Sequence, residues 1–416
     1  MNKASIICVD DEPTILNSLK VELKQVFKGK YLIETAESGE EALNLIDELL
    51  DSNYEIPIVI ADYLMPKMKG DELLRRIHAL SPQTRKIMLT GQADIKAVGN
   101  AINYAKLYRY IPKPWVAEDL TLTISEAIKS YLKEKELAAA YQNLERKVAT
   151  FHKFVPVQFL KLLNIEEYDA IHLGHCVEKT MTIMFTDIRG FTSLSENMTP
   201  QENFDFINAY LSNMEPIINQ YQGFIDKYIG DAIMALFPNG ADDAVQAAIA
   251  MLKQLDKYNQ GRQNAGYQPI KIGIGIHTGR LMLGTVGGEN RMDSTVISDA
   301  VNLASRVEGL TKTYGIPLLI TEQSKSRLVS QYKIRHIDSV SVKGKRKMVT
   351  IYEVFDAESP AYIEAKVKTI ADFEQGVNCF HNEQFKQAQR FFEKVLQEND
   401  NDQVAQTYLS HCQNIW

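Results

Sequence analysis

The chain has 416 residues, of which 45% are hydrophobic and 24% are charged, and this composition excludes a disordered protein. At roughly 150 residues per domain, the length predicts about two to four domains. Because 53 Asp and Glu outnumber 46 Lys and Arg, the net charge of −7 argues against a surface that binds nucleic acid or an anionic membrane.

Targeting signals are not expected. The longest apolar stretches, such as Ile58–Ala61 and Ala232–Phe237, fall far below the ~20 residues that a membrane span needs. The first residues lead directly into the strand-like Ile6–Val9, which argues against a signal peptide. The cysteines are scattered without a CxxC pair, which is typical of reduced thiols. We therefore expect a cytoplasmic protein.

Residues 1 to about 120 alternate short apolar runs with amphipathic stretches, which predicts βαβ units around a parallel sheet. The predicted strands and helices are, in order, Ser5–Val9, Pro13–Phe27, Tyr31–Thr35, Glu40–Leu50, Ile56–Ala61, Asp71–Leu80, Lys86–Thr90, Ile95–Tyr104 and Tyr108–Ile111. In such sheets, ligands bind beyond the carboxyl ends of the strands. Asp10 and Asp11 follow the first strand, Asp62 follows the third, and Thr90 ends the fourth.

These strand-end residues predict a metal pocket. Asp10, Asp11 and Asp62 repel one another at one edge of the sheet unless a divalent cation joins them, and their oxygen atoms suit Mg²⁺. Thr90 adds a hydroxyl group, and Lys113 adds an ammonium group that can neutralise a phosphoryl group on Asp62. Surface aspartates that are merely solvated are the alternative.

The segment resembles the receiver domain of two-component response regulators over about 120 residues. The matching residues are Val9–Glu12, Asp62 before Met65, Pro66 and Gly70, then Thr90, Tyr110, Lys113 and Pro114. The resemblance implies a flavodoxin-like fold and a cognate histidine kinase as partner. It implies that Asp62 is the phospho-acceptor and binds Mg²⁺ together with Asp10 and Asp11. The residues implied to sense the phosphoryl group or to switch rotamer are Thr90, Lys113 and Tyr110.

From about Leu122 to Val155 the pattern is that of one long helix, closed by Pro156 because proline cannot continue it. Apolar residues step alternately by four and three at Leu137, Tyr141, Leu144, Val148, Phe151 and Val155. This spacing favours a short coiled coil and therefore a parallel dimer. A helix lying on its own domain is the alternative.

Residues 175 to about 355 form a second predicted domain, which mixes strands and helices in a βαββαβ-like order. Its elements are strand Met181–Phe185, a capped helix opening at Thr199–Glu202, strands Phe224–Ile229 and Ala232–Phe237, helix Ala244–Leu255, strand Ile270–Ile276, a second hairpin and helix Asp299–Tyr314. The buried stripe predicted for the capped helix consists of Phe204, Ile207, Leu211, Met214, Ile218 and Tyr221.

Two aspartates suggest phosphoryl chemistry here. Asp187 ends a strand and Asp231 lies in a Gly-Asp turn, so hairpin pairing beside that strand would bring both carboxylates to one point. Such a pair can hold two metal ions ~3.5–4 Å apart; two ordinary turn aspartates are the alternative. Asn302 and Arg306 share one helix face and can orient a ribose and stabilise a phosphoryl transition state. The basic turn Lys343–Lys347 suits a polyphosphate; an ordinary solvated turn is the alternative.

This segment resembles the catalytic domain of class III nucleotidyl cyclases. The matching motifs are Phe185–Thr192, Lys227–Ala235, His277–Gly279 and Val301–Arg306. The resemblance implies a ferredoxin-like α+β domain that converts a nucleoside triphosphate into its 3′,5′-cyclic monophosphate and pyrophosphate. A diguanylate cyclase is disfavoured, because no Gly-Gly-Asp-Glu-Phe segment occurs.

The family pattern implies a role for each matching residue. Asp187, Asp231 and the backbone carbonyl of Ile188 would bind two Mg²⁺ or Mn²⁺ ions. Lys343 would contact the terminal phosphates. Asn302 would orient the ribose, and the pentavalent phosphorus would be stabilised by Arg306.

The resemblance implies that Lys227 and Thr295 determine the choice of base. Adenylyl cyclases carry Lys and either Asp or Thr at these positions, whereas guanylyl cyclases carry Glu and Cys, so ATP is the favoured substrate. Thr at the second position marks a subgroup often linked to bicarbonate stimulation. Family geometry places the metal aspartates of one protomer opposite Lys227, Thr295, Asn302 and Arg306 of the other, which implies a homodimer.

The helical C-terminal tail carries Phe373–Gly376, Phe385, Ala388, Phe392, Tyr408 and Leu409. In these residues it resembles one tetratricopeptide unit, which cannot bury its own face alone. It would pack on the cyclase domain, pair with its dimer mate or receive a protein partner. We expect an α/β multidomain chain with a receiver at 1–122, a helical coiled-coil linker at 123–156, a cyclase domain at 157–358 and the tail at 359–416. The predicted function is a phosphorylation-regulated adenylyl cyclase; the alternatives are a guanylyl or dual-specificity cyclase and a non-catalytic phospho-switch scaffold.

Overall fold

The computed structural model describes residues 3–91, 104–165, 167, 170–288, 291–341 and 348–414. It divides into two compact units, Met1–Thr150 and Phe151–Trp416. The predicted helix at Ile95–Tyr104, except for Tyr104, and the basic turn Lys343–Lys347 lie outside the described residues. Among the residues described, no helix combines the length and the apolar character that crossing a membrane requires.

The first unit is a parallel sheet with helices on its faces. Its elements are β1 (Ala4–Val9), α1 (Pro13–Phe27), β2 (Leu32–Ala36), α2 (Gly39–Asp51), β3 (Glu55–Asp62), α3 (Gly70–Leu80), β4 (Arg85–Thr90), β5 (Arg109–Pro112) and α4 (Ala117–Phe151). The strand order is β2-β1-β3-β4-β5, and all neighbours run parallel. Both faces of the inner strands are buried, which explains their nearly continuous apolar runs.

Helix α4 differs from its predicted bounds at both ends. It begins at Ala117 because Leu120 and Ile124 close the core of the first unit, whereas Leu122 is exposed. It ends at Phe151, before the proline that was expected to stop it. The predicted heptad positions Leu137, Tyr141 and Leu144 are exposed in the chain.

The second unit is built on one mixed eight-stranded sheet. Its elements as far as residue 314 are α5 (Val157–Leu162), β6 (Cys176–Ile188), α6 (Phe191–Ser195), α7 (Pro200–Gln220), β7 (Phe224–Ile229), β8 (Ala232–Phe237), α8 (Ala241–Asn264), β9 (Ile272–Gly288), β10 (Arg291–Ile297) and α9 (Asp299–Tyr314). The remaining elements are β11 (Leu318–Thr321), α10 (Glu322–Lys325), β12 (Ile334–Ser341), β13 (Met348–Val354), α11 (Pro360–His381), α12 (Phe385–Glu398) and α13 (Gln403–Asn414). The strand order is β12-β13-β11-β9-β6-β8-β7, with β10 paired to β9.

The predicted βαββαβ order is found in β6-α7-β7-β8-α8-β9, whose strands pair antiparallel in the order β9-β6-β8-β7. The capping box between Thr199 and Glu202 opens α7 as expected. The predicted stripe on α7 is wrong at Phe204, which is 69% exposed. The buried line instead passes through Phe206 and Tyr210. Phe204 lies two residues before that line, about 200° around the helix, and therefore faces away from the sheet.

Helix α9 packs very closely on β9 because β9 offers a glycine at the crossing point. A Cβ atom on Gly275 would lie 2.1 Å from the backbone nitrogen of Glu308, so no other residue fits there. Leu303 and Val307 are buried on this side of α9. Asn302 and Arg306 therefore occupy its exposed side.

The tail helices α11–α13 pack on the remainder of the second unit. Phe373, Phe392 and Tyr408 share one core with Leu319 of β11 and Val307 of α9. Of the alternatives open from the sequence, the described residues show packing on the unit that carries the cyclase motifs.

A buried ion network joins the same parts. Arg335 on β12 is 1% exposed and donates two hydrogen bonds to Asp402 at 2.5 and 3.1 Å. Its Nε donates to Glu353 at 2.5 Å, and Lys366 of α11 donates to the same carboxylate at 2.6 Å. The charges are thus paired inside the protein, where an unpaired charge would be very costly.

Candidate active site

An acidic pair forms where β6 ends beside the β7–β8 turn. Because β6 and β8 pair antiparallel with Thr186 opposite Ile233, Asp187 lies next to the turn that carries Asp231. The turn contains two residues, and Gly230 takes a positive φ of 66° there, as tight hairpin turns require. The Ile188 backbone N–H donates to Oδ2 of Asp231 at 3.3 Å.

The carboxyl group of Asp187 lies close enough to Asp231 to change its pKa. Burial first, and then hydrogen bonding and charge repulsion from Asp187, raise the pKa of Asp231 to about 6. Two carboxylates in contact at the end of a strand are a donor set that fits a divalent cation, since the cation removes their repulsion. The residues present therefore fit the metal that the motif implies.

A second polar pair lies on β7 and β10. Nζ of Lys227 donates a hydrogen bond to Oγ1 of Thr295 at 2.8 Å. The two residues that the sequence assigned to base selection are thus brought into direct contact. Asp226, which sequence reasoning missed, lies with its buried carboxyl group 3.4 Å from the same ammonium group.

Arg189 and Glu308 form a further link that sequence reasoning missed. Nη1 of Arg189, two residues after Asp187, lies 3.2 Å from Oε1 of Glu308 on α9. Burial raises the pKa of Glu308 to about 7, with Arg189 opposing this and Asp187 adding to it. The ion pair ties the acidic end of β6 to the helix that carries Asn302 and Arg306. The feature of the sequence that could have indicated this contact was the charged side chain of Arg189 inside the Phe185–Thr192 motif.

The His277–Gly279 motif is part of the interior. The buried side chain of His277 is hydrogen-bonded through Nδ1 to Thr321 at 2.8 Å. Oγ1 of Thr278 lies 2.9 Å from that of Thr182 and 3.0 Å from the hydroxyl of Ser324. These contacts hold β9 against β6, β11 and α10.

The first unit holds the predicted acidic pocket. Carboxylate oxygens of Asp10, Asp11 and Asp62 all lie within 4.8 Å of one another. Nζ of Lys113 lies 2.7 Å from Asp10 and 2.6 Å from Asp62. The backbone N–H of Leu64 donates to the other oxygen of Asp62 at 3.0 Å. Clustered carboxylates of this kind fit a divalent cation bound through oxygen.

Burial shapes the charges of this pocket. It raises the pKa of Asp62, although the hydrogen bond from Lys113 opposes the rise. Burial alone would lower the pKa of Lys113, but its hydrogen bonds to Asp10 and Asp62 raise it overall. The pocket therefore holds a fixed positive charge next to the carboxyl group that is expected to be phosphorylated.

The other two receiver residues differ in their setting. Thr90 is buried, and its carbonyl accepts the backbone N–H of Lys113 at 2.9 Å, so the end of β4 lies against the lysine. Tyr110 on β5 has half of its surface exposed.

The chain is similar to two known domain families. Residues 176–390 match the adenylate and guanylate cyclase catalytic domain, and residues 6–125 match the response regulator receiver domain. The first match covers more than half of the chain. The chain therefore belongs to the adenylate and guanylate cyclase family, and it carries a response regulator receiver domain.

Named relatives include adenylate cyclases. The chain is 48% identical over 226 residues to an adenylate cyclase of Anabaena cylindrica, covering 52% of this chain and 45% of that protein. It is 39% identical over 283 residues to the terminal-differentiation specific adenylate cyclase of Dictyostelium discoideum, covering 66% of this chain and 13% of that one. A crystal structure of a P. aeruginosa adenylyl cyclase is 35% identical, with coverage of 44% and 97% and a TM-score of 0.40. The match covers less than half the length of the Anabaena cylindrica and Dictyostelium discoideum proteins.

Proposed function

We propose that the protein is a phosphorylation-regulated adenylyl cyclase that converts ATP into 3′,5′-cyclic AMP and pyrophosphate in a homodimer. The observation that carries this proposal is the hydrogen bond between Lys227 and Thr295, which forms a base-reading pair in a fold that also brings Asp187 and Asp231 together. The adenylate cyclases among the relatives support the same substrate.

The base-reading pair favours adenine on chemical grounds. The ammonium group of Lys227 only donates hydrogen bonds, and N1 of adenine accepts one. N1 of guanine carries a hydrogen and offers the ammonium group no acceptor. Oγ1 of Thr295 retains a lone pair for the exocyclic amine of adenine.

The acidic pair supplies the metal site. Asp187, Asp231 and the backbone carbonyl of Ile188 would hold two Mg²⁺ or Mn²⁺ ions. When bound, such ions activate the attacking 3′-oxygen and neutralise the departing pyrophosphate. Lys343, outside the described residues, is proposed to contact the terminal phosphates.

Helix α9 would act on the sugar and the reacting phosphorus. From its exposed side, Asn302 would orient the ribose so that the 3′-oxygen lies in line with the bond that breaks. Arg306 would donate to the phosphoryl oxygens as negative charge develops on them, which planar guanidinium donors do well.

Each site is proposed to be shared between protomers, with the acidic pair of one facing Lys227, Thr295, Asn302 and Arg306 of the other. The exposed apolar residues of α4, including Leu137 and Leu144, support a coiled-coil contact between two copies. The proposed domains are a receiver at 1–122, a linker at 123–156, a catalytic domain at 157–358 and a tetratricopeptide-like tail at 359–416.

The receiver would control this dimer. A histidine kinase would phosphorylate Asp62, adding a charge of about −1.5 to −2 beside Lys113. Mg²⁺ held by Asp10 and Asp11 would accompany it. The new charge would shift Thr90 and Tyr110, and the linker helix would pass the change to the cyclase sites.

The deciding experiment is an incubation of the purified full chain with ATP or GTP and Mn²⁺, followed by chromatography of the nucleotides. We expect cyclic AMP from ATP, and about 100-fold less or lower from the Asp231→Ala variant, which lacks one metal ligand. Predominant cyclic GMP would support a guanylyl cyclase instead. Absence of both cyclic nucleotides would support the phospho-switch scaffold.

A further inference from the structure

Strand β7 is irregular next to its base-reading lysine. Ile225 lies opposite Ala235 and Lys227 lies opposite Met234, so Asp226 has no opposing residue on β8. In a regular strand, neighbouring side chains point to opposite faces of the sheet. An extra residue of this kind is a β-bulge, which redirects side chains. Asp226 and Lys227 are neighbours whose charged groups nevertheless meet, with Nζ 3.4 Å from Oδ2.

The two side chains differ in exposure. The side chain of Asp226 is 1% exposed, whereas that of Lys227 is 33% exposed. Neither carboxylate oxygen of Asp226 has a hydrogen-bond partner among the residues that the structure describes. Burying a carboxylate without hydrogen bonds is costly. The interaction that offsets part of this cost is the one with Lys227.

We propose that Asp226 is a positioning residue for purine selection, which holds the ammonium group of Lys227 oriented toward the base. The inference rests on the proposed cyclase function. An ammonium group has three N–H donors. Thr295 takes one of them, at 2.8 Å, and the Asp226 carboxylate attracts a second from the buried side. The third is then free for N1 of adenine on the exposed side.

The chemistry of the pair explains why this support matters for selectivity. The hydroxyl group of Thr295 both donates and accepts, so it tolerates the amine of adenine and the carbonyl of guanine alike. Discrimination therefore falls on the ammonium group, which cannot accept from N1–H of guanine. A donor held in place before the base arrives discriminates better than a mobile one, because less conformational freedom is lost on binding.

The test compares the wild-type chain with Asp226→Asn, which keeps the shape and removes the charge. The KM and kcat for ATP and GTP are measured together with equilibrium binding of both nucleotides. We expect the KM for ATP to rise about tenfold with kcat within about twofold, and the preference for ATP over GTP to fall about tenfold. The matched control is Asp293→Asn, an exposed carboxyl group on β10 near Asp226, which we expect to change these values less than about twofold.

A double-mutant cycle with Lys227→Met tests whether Asp226 acts through the lysine. We expect Asp226→Asn to have no further effect on nucleotide preference in that background. The inference is overturned if Asp226→Asn leaves preference unchanged, or if its full effect persists without the lysine. An equal loss of kcat for both nucleotides with a lower melting temperature also overturns it. If the wild-type chain has no cyclase activity, the proposed function is overturned. The role of Asp226 is still tested in that case, because equilibrium binding of ATP and GTP can be compared between the wild type and Asp226→Asn.

Discussion

Asp187 and Asp231 hold their carboxyl groups in contact, although one ends β6 and the other lies in the β7–β8 turn. Burial and this contact make the ionised pair unfavourable in the protein without a bound cation. A fold that keeps such an arrangement gives up stability at a binding site, as functional sites commonly do.

Replacing Asp187 by Asn should therefore stabilise the metal-free protein and inactivate it. We expect the melting temperature in EDTA at pH 8 to rise by about 2–4 °C, which corresponds to ~1 kcal/mol after allowance for solvent screening. Cyclic AMP formation should fall about 100-fold or more, because one metal ligand is lost. The opposite stability effect is expected for Asp242→Asn, whose carboxylate accepts the N–H groups of Val329 and Ser330 at 2.8 and 2.9 Å. A lower melting temperature for Asp187→Asn would contradict the prediction.

The pKa of Asp231 predicts a pH-dependent effect of metal. Because its pKa is raised from 3.8 to about 6 in the folded chain, the carboxyl group of the unfolded chain ionises first as the pH rises. The folded protein thus loses stability between about pH 4 and 6, and it stays penalised at higher pH. Mn²⁺ should raise the melting temperature more at pH 7.5 than at pH 5. The same measurement on Asp231→Asn isolates the contribution of this carboxyl group. If Mn²⁺ raised the melting temperatures of the wild type and the variant equally at both pH values, the prediction would be wrong.

The receiver pocket predicts how the protein responds to a small phosphodonor such as acetyl phosphate. Asp62→Asn should abolish any change in cyclic AMP production on addition of the phosphodonor, because the carboxylate that accepts the phosphoryl group is replaced by an amide. The exposed Asp47 on α2 provides the control, since Asp47→Asn should respond like the wild type. The ratio of activities with and without phosphodonor is the measurement. A persistent response in Asp62→Asn would rule out phosphorylation at this residue.

A shared active site predicts that two inactive variants rescue each other. Asp231→Ala and Arg306→Ala, mixed and allowed to exchange subunits, would form mixed dimers in which one site has both residues intact. Half of the dimers would carry one working site, so activity should reach about a quarter of the wild-type value. Each variant alone should stay inactive. No recovery after verified subunit exchange would show that each site lies within one chain.

The buried network at the tail predicts a large stability effect. Asp402→Ala removes the bidentate partner of Arg335 and should lower the free energy of unfolding by about 3–5 kcal/mol in urea titrations. Glu398→Gln breaks the exposed pair with Lys368 and should cost less than about 1 kcal/mol. Similar losses for the two variants would mean that the buried network contributes little beyond an ordinary surface ion pair.

Local patterns in the amino-acid sequence were sufficient to predict many of the strands and helices. The bounds of β7, β8 and α9 agree with their predicted ranges, since alternation, a Gly-Asp turn and helix caps act over a few residues. The acidic pockets at both sites were also predictable, because strand ends and turns have characteristic residues. The alternating order of strands and helices then predicted that Asp10 and Asp62 lie close together, because both follow parallel strands at the same edge of the sheet.

Other features arise only when distant segments meet. Nothing within the sequence near Phe204 reveals that the sheet buries Phe206 and Tyr210 instead, and a motif such as His277–Gly279 does not reveal that its side chains are internal. The burial of Asp226 depends on a one-residue mismatch between β7 and β8. Short-range periodicity could therefore identify strands, helices and candidate ligands. The role of Asp226 beside Lys227 could be recognised only from the tertiary structure, because the burial of a side chain depends on contacts between residues that are distant in the sequence.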